Sequence, residues 1–131
     1  MIEEKLHKGL ALIIAVFFNI YWFAPFAYST LPEKIQTLLS WHTYGAILPY
    51  SEWHGWVYSI LYMASLLGVV FYRKAFTYLF LAVVIYGHFS WAFSGAVVLT
   101  NIEMFVLSVL SALEGVLLSL VYYTKLRERL Y

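Results

Sequence analysis

Long apolar segments separated by short polar connections dominate the chain. Four segments, residues 9–28, 53–72, 75–98 and 103–123, each hold about 20 mostly apolar residues, which is the length that crosses the ~30 Å hydrocarbon core of a bilayer as a helix. Backbone groups in lipid must be hydrogen-bonded internally, and the segments lack the alternating polarity of barrel strands, so each is expected to be a helix. The pattern predicts an all-α integral membrane protein with four transmembrane helices.

The short connections predict how these helices follow one another. Arg73 and Lys74 alone separate the second segment from the third, and residues 99–102 separate the third from the fourth. Helices joined by so few residues pack as antiparallel neighbours. Four spans leave no residues for a second folding unit, so residues 1–131 are expected to form a single transmembrane domain, an antiparallel four-helix bundle.

Basic residues are distributed unevenly over the two sides that four spans define. Lys34 lies on one side, and seven basic residues lie on the side of both chain ends: Lys5, Lys8, Arg73, Lys74, Lys125, Arg127 and Arg129. The cytoplasmic loops of membrane proteins carry the excess of lysine and arginine. Both termini are therefore expected in the cytoplasm, and a bacterial or archaeal cytoplasmic membrane is the expected location.

The connection between the first two segments, residues 29–52, is long enough to hold structure of its own. Within it, apolar residues and one histidine recur at helical spacing, at Ile35, Leu38, Leu39 and His42. The stretch is too short and too polar to span a bilayer. It is expected to be a short amphipathic helix in the outer loop, lying on the surface of the bilayer.

The composition supports a membrane protein and excludes several classes of function. Hydrophobic residues make up 63% of the chain and charged residues 11%, against roughly half and a quarter in soluble domains. The net charge of +1 gives no support for nucleic-acid binding, and the absence of cysteine excludes disulfides and cysteine-based zinc sites. The chain carries no phosphate-binding glycine loop, no His-Glu-x-x-His and no local signature of a catalytic triad, so an enzyme is not favoured.

Polar residues at equal depth in the four segments are the first candidates for a functional site. Counting from the outer ends of the segments places His88 and Glu114 near the bilayer midplane, with Asn19 and Tyr62 at the same depth. A carboxylate is costly in lipid, so a His88–Glu114 hydrogen bond or ion pair is expected. Asn19 and Tyr62 would satisfy the remaining donors and acceptors. Such a layer either holds the helices together or serves as a proton or cation relay or a ligand anchor.

A second candidate region lies at the outer ends of the helices. Glu103 precedes Glu114 by 11 residues, which places the two carboxylates within ~20° on one helical face and ~16 Å apart. The two could mark an entry path for a cation, or Glu103 could serve the dipole at the helix start. Four further residues join this outer mouth: His42, His54, Trp53 and Trp56. The histidine spacing matches no metal motif, so neither a metal nor another cofactor is expected.

Aromatic and small residues give two weaker indications. All five tryptophans fall in the outer half, at Trp22, Trp41, Trp53, Trp56 and Trp91. They are typical of an interfacial belt, or they line an outer pocket beneath the loop helix. Small residues predict faces where helices touch, within one chain or between chains. They are Ser111, Gly115 and Ser119 in the fourth segment, Gly87 and Gly95 in the third, and Ala11 and Ala15 in the first.

Three functions remain open at this stage. The first is a non-enzymatic protein that binds a partner in the membrane, another membrane protein or a second copy, as an accessory, regulatory or immunity-type subunit. The second is an oligomeric ion- or proton-coupled transporter or channel that uses Glu114 and His88. The third is an intramembrane binding site for a lipophilic ligand such as a quinone.

Overall fold

The computed structural model describes residues 2–40, 46–47, 51–95, 97–124 and 128. Within that part the chain is helical, and no strand occurs among these residues. The α-helices are α1 (Ile2–Phe23), α2 (Glu33–Leu39), α3 (Glu52–Val70), α4 (Lys74–Phe93) and α5 (Asn101–Tyr123), and a 3-10 helix, Ala24–Thr30, follows α1. Four segments are long and apolar enough to cross a membrane: Glu4–Thr30, Glu52–Val70, Lys74–Phe93 and Asn101–Tyr123. The prediction of an all-helical chain with four such helices is confirmed.

The first segment is longer than predicted and changes character near its end. The α-helix begins well before residue 9, and Lys8 forms an ion pair with Glu4 one turn earlier, at 3.4 Å. It stops at Phe23 because Pro25 has no backbone N–H to donate to the preceding turn. The chain then continues as the tighter 3-10 helix, which carries Tyr28 towards the start of α5.

Helix α4 ends earlier than predicted. The apolar pattern continues to residue 98, but the helix stops at Phe93 and Ser94 forms its C-cap. Gly95 adopts a φ of 83°, a left-handed conformation that glycine reaches without the steric cost that other residues carry. The apolar run therefore predicted a helix that is several residues too long, because hydropathy carries no information about backbone conformation.

Helix α5 begins with a capping box. The Thr100 hydroxyl accepts a hydrogen bond from the backbone N–H of Glu103 at 3.3 Å, and the Glu103 carboxylate accepts one from the Thr100 N–H at 2.8 Å. Two otherwise unpaired donors at the helix start are thereby satisfied. Helix α3 begins with a simpler cap, in which Ser51 accepts from the N–H of His54.

The four long helices pack in the order α4, α3, α1, α5. Helix α3 packs closely on α4, and α1 packs closely on α5 and less extensively on α3. Gly68 allows the approach of α3 to α4, because a Cβ there would lie 2.1 Å from the Cβ of Phe76. Helices α4 and α5 make much less backbone contact with each other in the described part of the chain.

Ring contacts define two ends of this bundle. At the end where α1 begins and α5 ends, here the terminal end, His7 stacks on Tyr72 and Tyr78 lies against Tyr122. At the other end, here the loop end, Trp22 of α1 meets Trp56 of α3 with ring centroids 6.0 Å apart. Helix α2 packs beside the 3-10 helix and so lies near the loop end as well.

Apolar side chains point outward as well as inward. The terminal half of the interior is filled by residues such as Ile14, Phe80, Leu117 and Val121. Equally large side chains are exposed on the outer faces of all four long helices, for example Leu12, Ile60, Ile85 and Phe105. A soluble protein rarely exposes so much apolar surface, whereas a bilayer solvates it.

Candidate functional site

A cavity of about 610 Å³ lies between the loop halves of the four long helices. Its size is within the range of ~300–1,000 Å³ found for small-molecule sites. The wall is mostly apolar and contains many aromatic side chains, among them Phe18, Tyr21, Trp22, Tyr28, Tyr58, Tyr86 and Trp91. Polar groups also lie on the wall, and two of them are the carboxylates of Glu103 and Glu114.

Glu114 forms the inner polar point of the cavity. Its side chain is 4% exposed, and its Oε1 accepts a hydrogen bond from the hydroxyl of Tyr62. Tyr62 is completely buried and is held by Phe18, which stacks on it with ring centroids 4.0 Å apart. Oε2 of Glu114 accepts no hydrogen bond from the described part of the chain. A buried carboxylate with one oxygen unused by the protein is unusual, because buried polar atoms are normally paired.

Glu103 is the second carboxylate of the wall and has a different environment. Its Oε1 accepts from the hydroxyl of Tyr28, and its Oε2 accepts from the N–H and the hydroxyl of Thr100 at 2.8 and 2.7 Å. Both oxygens are therefore used by the protein. Glu103 joins the end of the first segment to the start of α5 and closes the loop end of the bundle.

His88 lies on the cavity wall but forms no hydrogen bond or ion pair with Glu114. Its Nδ1 is 2.9 Å from the carbonyl oxygen of Val84, so Nδ1 carries the proton and donates it. Its Nε2 is 3.1 Å from the Ser111 hydroxyl, which also lies 3.0 Å from the carbonyl of Leu107. A hydroxyl has one proton: either Ser111 donates to a neutral His88, or it donates to Leu107 and accepts from a protonated His88.

The predicted midplane layer is thus formed in part. Tyr62 and Glu114 do meet, but a direct His88–Glu114 pair is not found, because both ring nitrogens of His88 have other partners and its side chain is exposed. The amide of Asn19 donates to the carbonyl of Ala15 at 2.7 Å and lies 3.9 Å from the sulfur of Met63. Asn19 is therefore satisfied locally and does not complete the layer.

The predicted outer mouth is also divided. His54 lines the cavity and is hydrogen-bonded through Nε2 to the hydroxyl of Tyr86. Trp53 is 81% exposed, and Trp56 packs on Trp22 outside the cavity wall. His42 lies outside the described residues. Among the residues that are described, no group of three or more histidine, aspartate or glutamate side chains could hold a metal ion.

Phe18 is a residue of the site that was not singled out from the sequence. It matters because it stacks on Tyr62, whose hydroxyl donates to Glu114. A usable signal was the spacing of four residues between Phe18 and Trp22 and between Tyr58 and Tyr62, which places each pair on one helical face. Outside the site, His7 was missed because α1 was expected to begin after it; it is 1% exposed, and its Nδ1 has no hydrogen-bond partner in the described chain.

Apart from the two histidines, the charged side chains on the cavity wall are carboxylates. No described lysine or arginine lines the cavity, and the one ion pair among the described residues joins Lys8 to Glu4, in the first turns of α1. Two carboxylates, two histidines and several hydroxyl groups face the space.

No family model, no curated protein and no solved structure matches this chain.

Proposed function

We propose that this is an integral membrane protein that binds a small lipophilic molecule in the cavity between the loop halves of its four long helices. The observation that carries the proposal is the cavity itself: about 610 Å³ of space between the helices, with aromatic walls and polar groups that include two carboxylates. Ligand sites have this constitution, in which apolar walls supply most of the affinity and a few polar groups fix orientation. Helices packed without a ligand would be expected to fill such a space with side chains.

The charge distribution supports an orientation for the site. The excess of lysine and arginine belongs to the side of both chain ends, so we propose that the terminal end faces the cytoplasm and the four helices run antiparallel through the cytoplasmic membrane. The cavity then lies in the outer half of the bilayer, at the loop end of the bundle. A ligand there would have its polar part near Glu114 and its apolar part among the aromatic rings.

The proposal is tested by extracting the purified, full-length protein with organic solvent and identifying released compounds by mass spectrometry. A compound at near-stoichiometric amount is expected from the wild type. Its yield should fall sharply in Ser111→Phe, because Ser111 lines the cavity and a phenyl group would occupy the space.

Ser108→Phe is the matched control. Ser108 also lies on α5, and its hydroxyl lies 2.8 Å from the carbonyl of the residue four positions earlier, as the Ser111 hydroxyl lies 3.0 Å from the carbonyl of Leu107. It is exposed and does not line the cavity. Equal ligand yields from the two phenylalanine variants, or no bound compound in any preparation, would contradict the proposal.

Binding to a membrane partner is the second candidate, and it rests on one face of α5. Ala112, Gly115 and Ser119 line a shallow depression there, and nothing lies within 4 Å of a Cβ built on Gly115. Small residues spaced three and four apart lie on one helical face and allow a second helix to approach closely. Since the chain has no cysteine, Gly115→Cys in native membranes should form a disulfide-linked dimer if the partner is a second copy. Leu12→Cys, on the exposed face of α1, should not.

Ion or proton transport remains a prediction, and it would require more than one copy of the chain. Between Glu114 and the terminal end, the interior of one copy is packed with apolar side chains such as Ile14, Leu117 and Val121. A continuous polar path through a single copy is not supported by this packing. A pathway between copies, as the oligomeric alternative requires, would be detected as ion flux in proteoliposomes that is lost in Glu114→Gln.

A further inference from the structure

The unused oxygen of Glu114 is the starting point for the class of ligand. Tyr62 donates to Oε1, and Oε2 accepts nothing from the described chain although the side chain is 4% exposed and lies on the cavity wall. In Glu103, by comparison, three hydrogen bonds occupy both oxygens. An acceptor left open at the inner end of a ligand-sized space calls for a donor from the ligand.

The charge balance of the site favours a donor that is also a cation. No described lysine or arginine lines the cavity, and His88, which lies on the wall, carries no charge when Ser111 donates to it. The carboxylate of Glu114 then has no compensating cation in the described chain, and removal from water makes such a charge costly. A positive group on the ligand relieves that cost, whereas an anionic ligand would add repulsion from two carboxylates.

The aromatic walls favour the same class. The aromatic side chains of Tyr21, Tyr58, Tyr86 and Trp91 line the space. Cations bind to aromatic faces with about 0.5–2 kcal/mol when water is excluded, and the same faces accommodate an apolar ligand body. A neutral lipid would use the second property and not the first.

We infer that the ligand is a lipophilic amine in its protonated form, with the ammonium N–H donating to Oε2 of Glu114 and the apolar body lying against the aromatic wall. This inference rests on the proposed ligand-binding function. Glu114 is thereby assigned as the residue that selects for charge, and Glu103 as a structural carboxylate of the helix start.

The test uses two probes that differ in one atom. The first is a naphthylmethyl group on a dimethylammonium, and the second is its uncharged isostere, in which a C–H replaces the N–H. Binding to the full-length protein in nanodiscs is measured at neutral pH by equilibrium dialysis, and partition into empty nanodiscs is subtracted. The ammonium probe is expected to bind at least about tenfold more tightly than the isostere, which corresponds to about 1.4 kcal/mol.

Variants assign the preference to one residue. Glu114→Gln should reduce binding of the ammonium probe by at least about tenfold and leave the isostere unchanged, whereas Glu103→Gln should preserve the preference. Tyr62→Phe, which frees the other oxygen of Glu114, should preserve or increase it. The wild-type comparison of the two probes requires no variant and stands even where a variant does not fold.

Each outcome has one meaning. Equal binding of the two probes to the wild type would overturn the amine inference and leave a site for neutral lipophiles. A preference that persists in folded Glu114→Gln would overturn the assignment to Glu114. If neither probe binds, the inference fails; a compound that nevertheless copurifies with the wild type would still support the ligand-binding function.

Discussion

The rings of Phe18 and Tyr62 lie face to face, with centroids 4.0 Å apart and planes inclined by 8°, and the hydroxyl of the same Tyr62 donates to Glu114. Helices α1, α3 and α5 are joined at this one point. The polar group at the inner end of the cavity is thus fixed by an apolar stack, since the tyrosine can hold the carboxylate only where Phe18 holds its ring.

Replacement of Phe18 by alanine should destabilise the fold and loosen Tyr62. Removing a buried phenylalanine costs about 3–5 kcal/mol, which combines the lost burial with the cavity left behind. We expect a decrease of this order in the free energy of unfolding, measured by SDS titration with tryptophan fluorescence. Phe105→Ala removes the same side chain at a site that is 64% exposed and should change stability by less than about 0.5 kcal/mol. Equal losses in the two variants would contradict the assignment of Phe18 to the core.

Tyr62→Phe isolates the hydrogen bond to Glu114 from the ring stack. The ring and its contact with Phe18 remain, but Glu114 loses its donor, and a buried group left unpaired costs about 1–3 kcal/mol. The same SDS titration should show this decrease. In a double-mutant cycle with Glu114→Gln, the two changes should be non-additive by at least about 0.5 kcal/mol. Strict additivity would mean that the two side chains do not interact.

Thr100 is expected to stabilise the first turn of α5 through its hydroxyl. Thr100→Val keeps the shape but removes the group that accepts from the N–H of Glu103 and donates to its carboxylate. The loss of an N-cap costs about 1 kcal/mol, and hydrogen exchange at the amide of Glu103 should become faster. Thr100→Ser retains the hydroxyl and should behave as the wild type; if it exchanges as fast as the valine variant, the cap does not stabilise this turn.

Two glycine-to-alanine substitutions should have opposite effects. At Gly68 the new methyl group would meet the Cβ of Phe76 at 2.1 Å, and this contact is close to the backbone of α4. Overpacking of this kind costs about 1–3 kcal/mol. At Gly115 the methyl group meets nothing within 4 Å, so the better helix propensity of alanine should be neutral or stabilising by up to about 1 kcal/mol. Thermal unfolding in detergent distinguishes the pair, and a loss at Gly115 would indicate a contact from a second chain.

The helices could be predicted from hydropathy, but their ends could not. Apolar length identifies a span because the bilayer thickness fixes it. The ends depend on single residues that act on the backbone: Pro25 stops α1, and Gly95 follows the end of α4 in a left-handed conformation. Both residues lie inside apolar runs, where a hydropathy average hides them.

The depth of the polar residues in the bundle could be predicted from the sequence, but the direction in which each side chain points could not. Counting residues along a helix gives axial height, and Tyr62 and Glu114 do meet at the height expected. Successive residues differ by about 100° around the helix axis. His88 therefore points in a different direction from its buried neighbour Gly87, and Asn19 in a different direction from its buried neighbour Phe18. The direction of each face depends on which helices are neighbours, and a single sequence does not contain that information.

The sparse contact between α4 and α5 affects how the affinity of a ligand should be measured. His88 and Ser111 bridge these helices beside the cavity, and His88 is exposed although it lines the cavity wall. A lipophilic compound would reach the site sideways, after dissolving among the acyl chains. Its apparent dissociation constant, expressed as an aqueous concentration, would then be inversely proportional to its membrane partition coefficient. Affinities of different compounds should therefore be compared as mole fractions in the lipid.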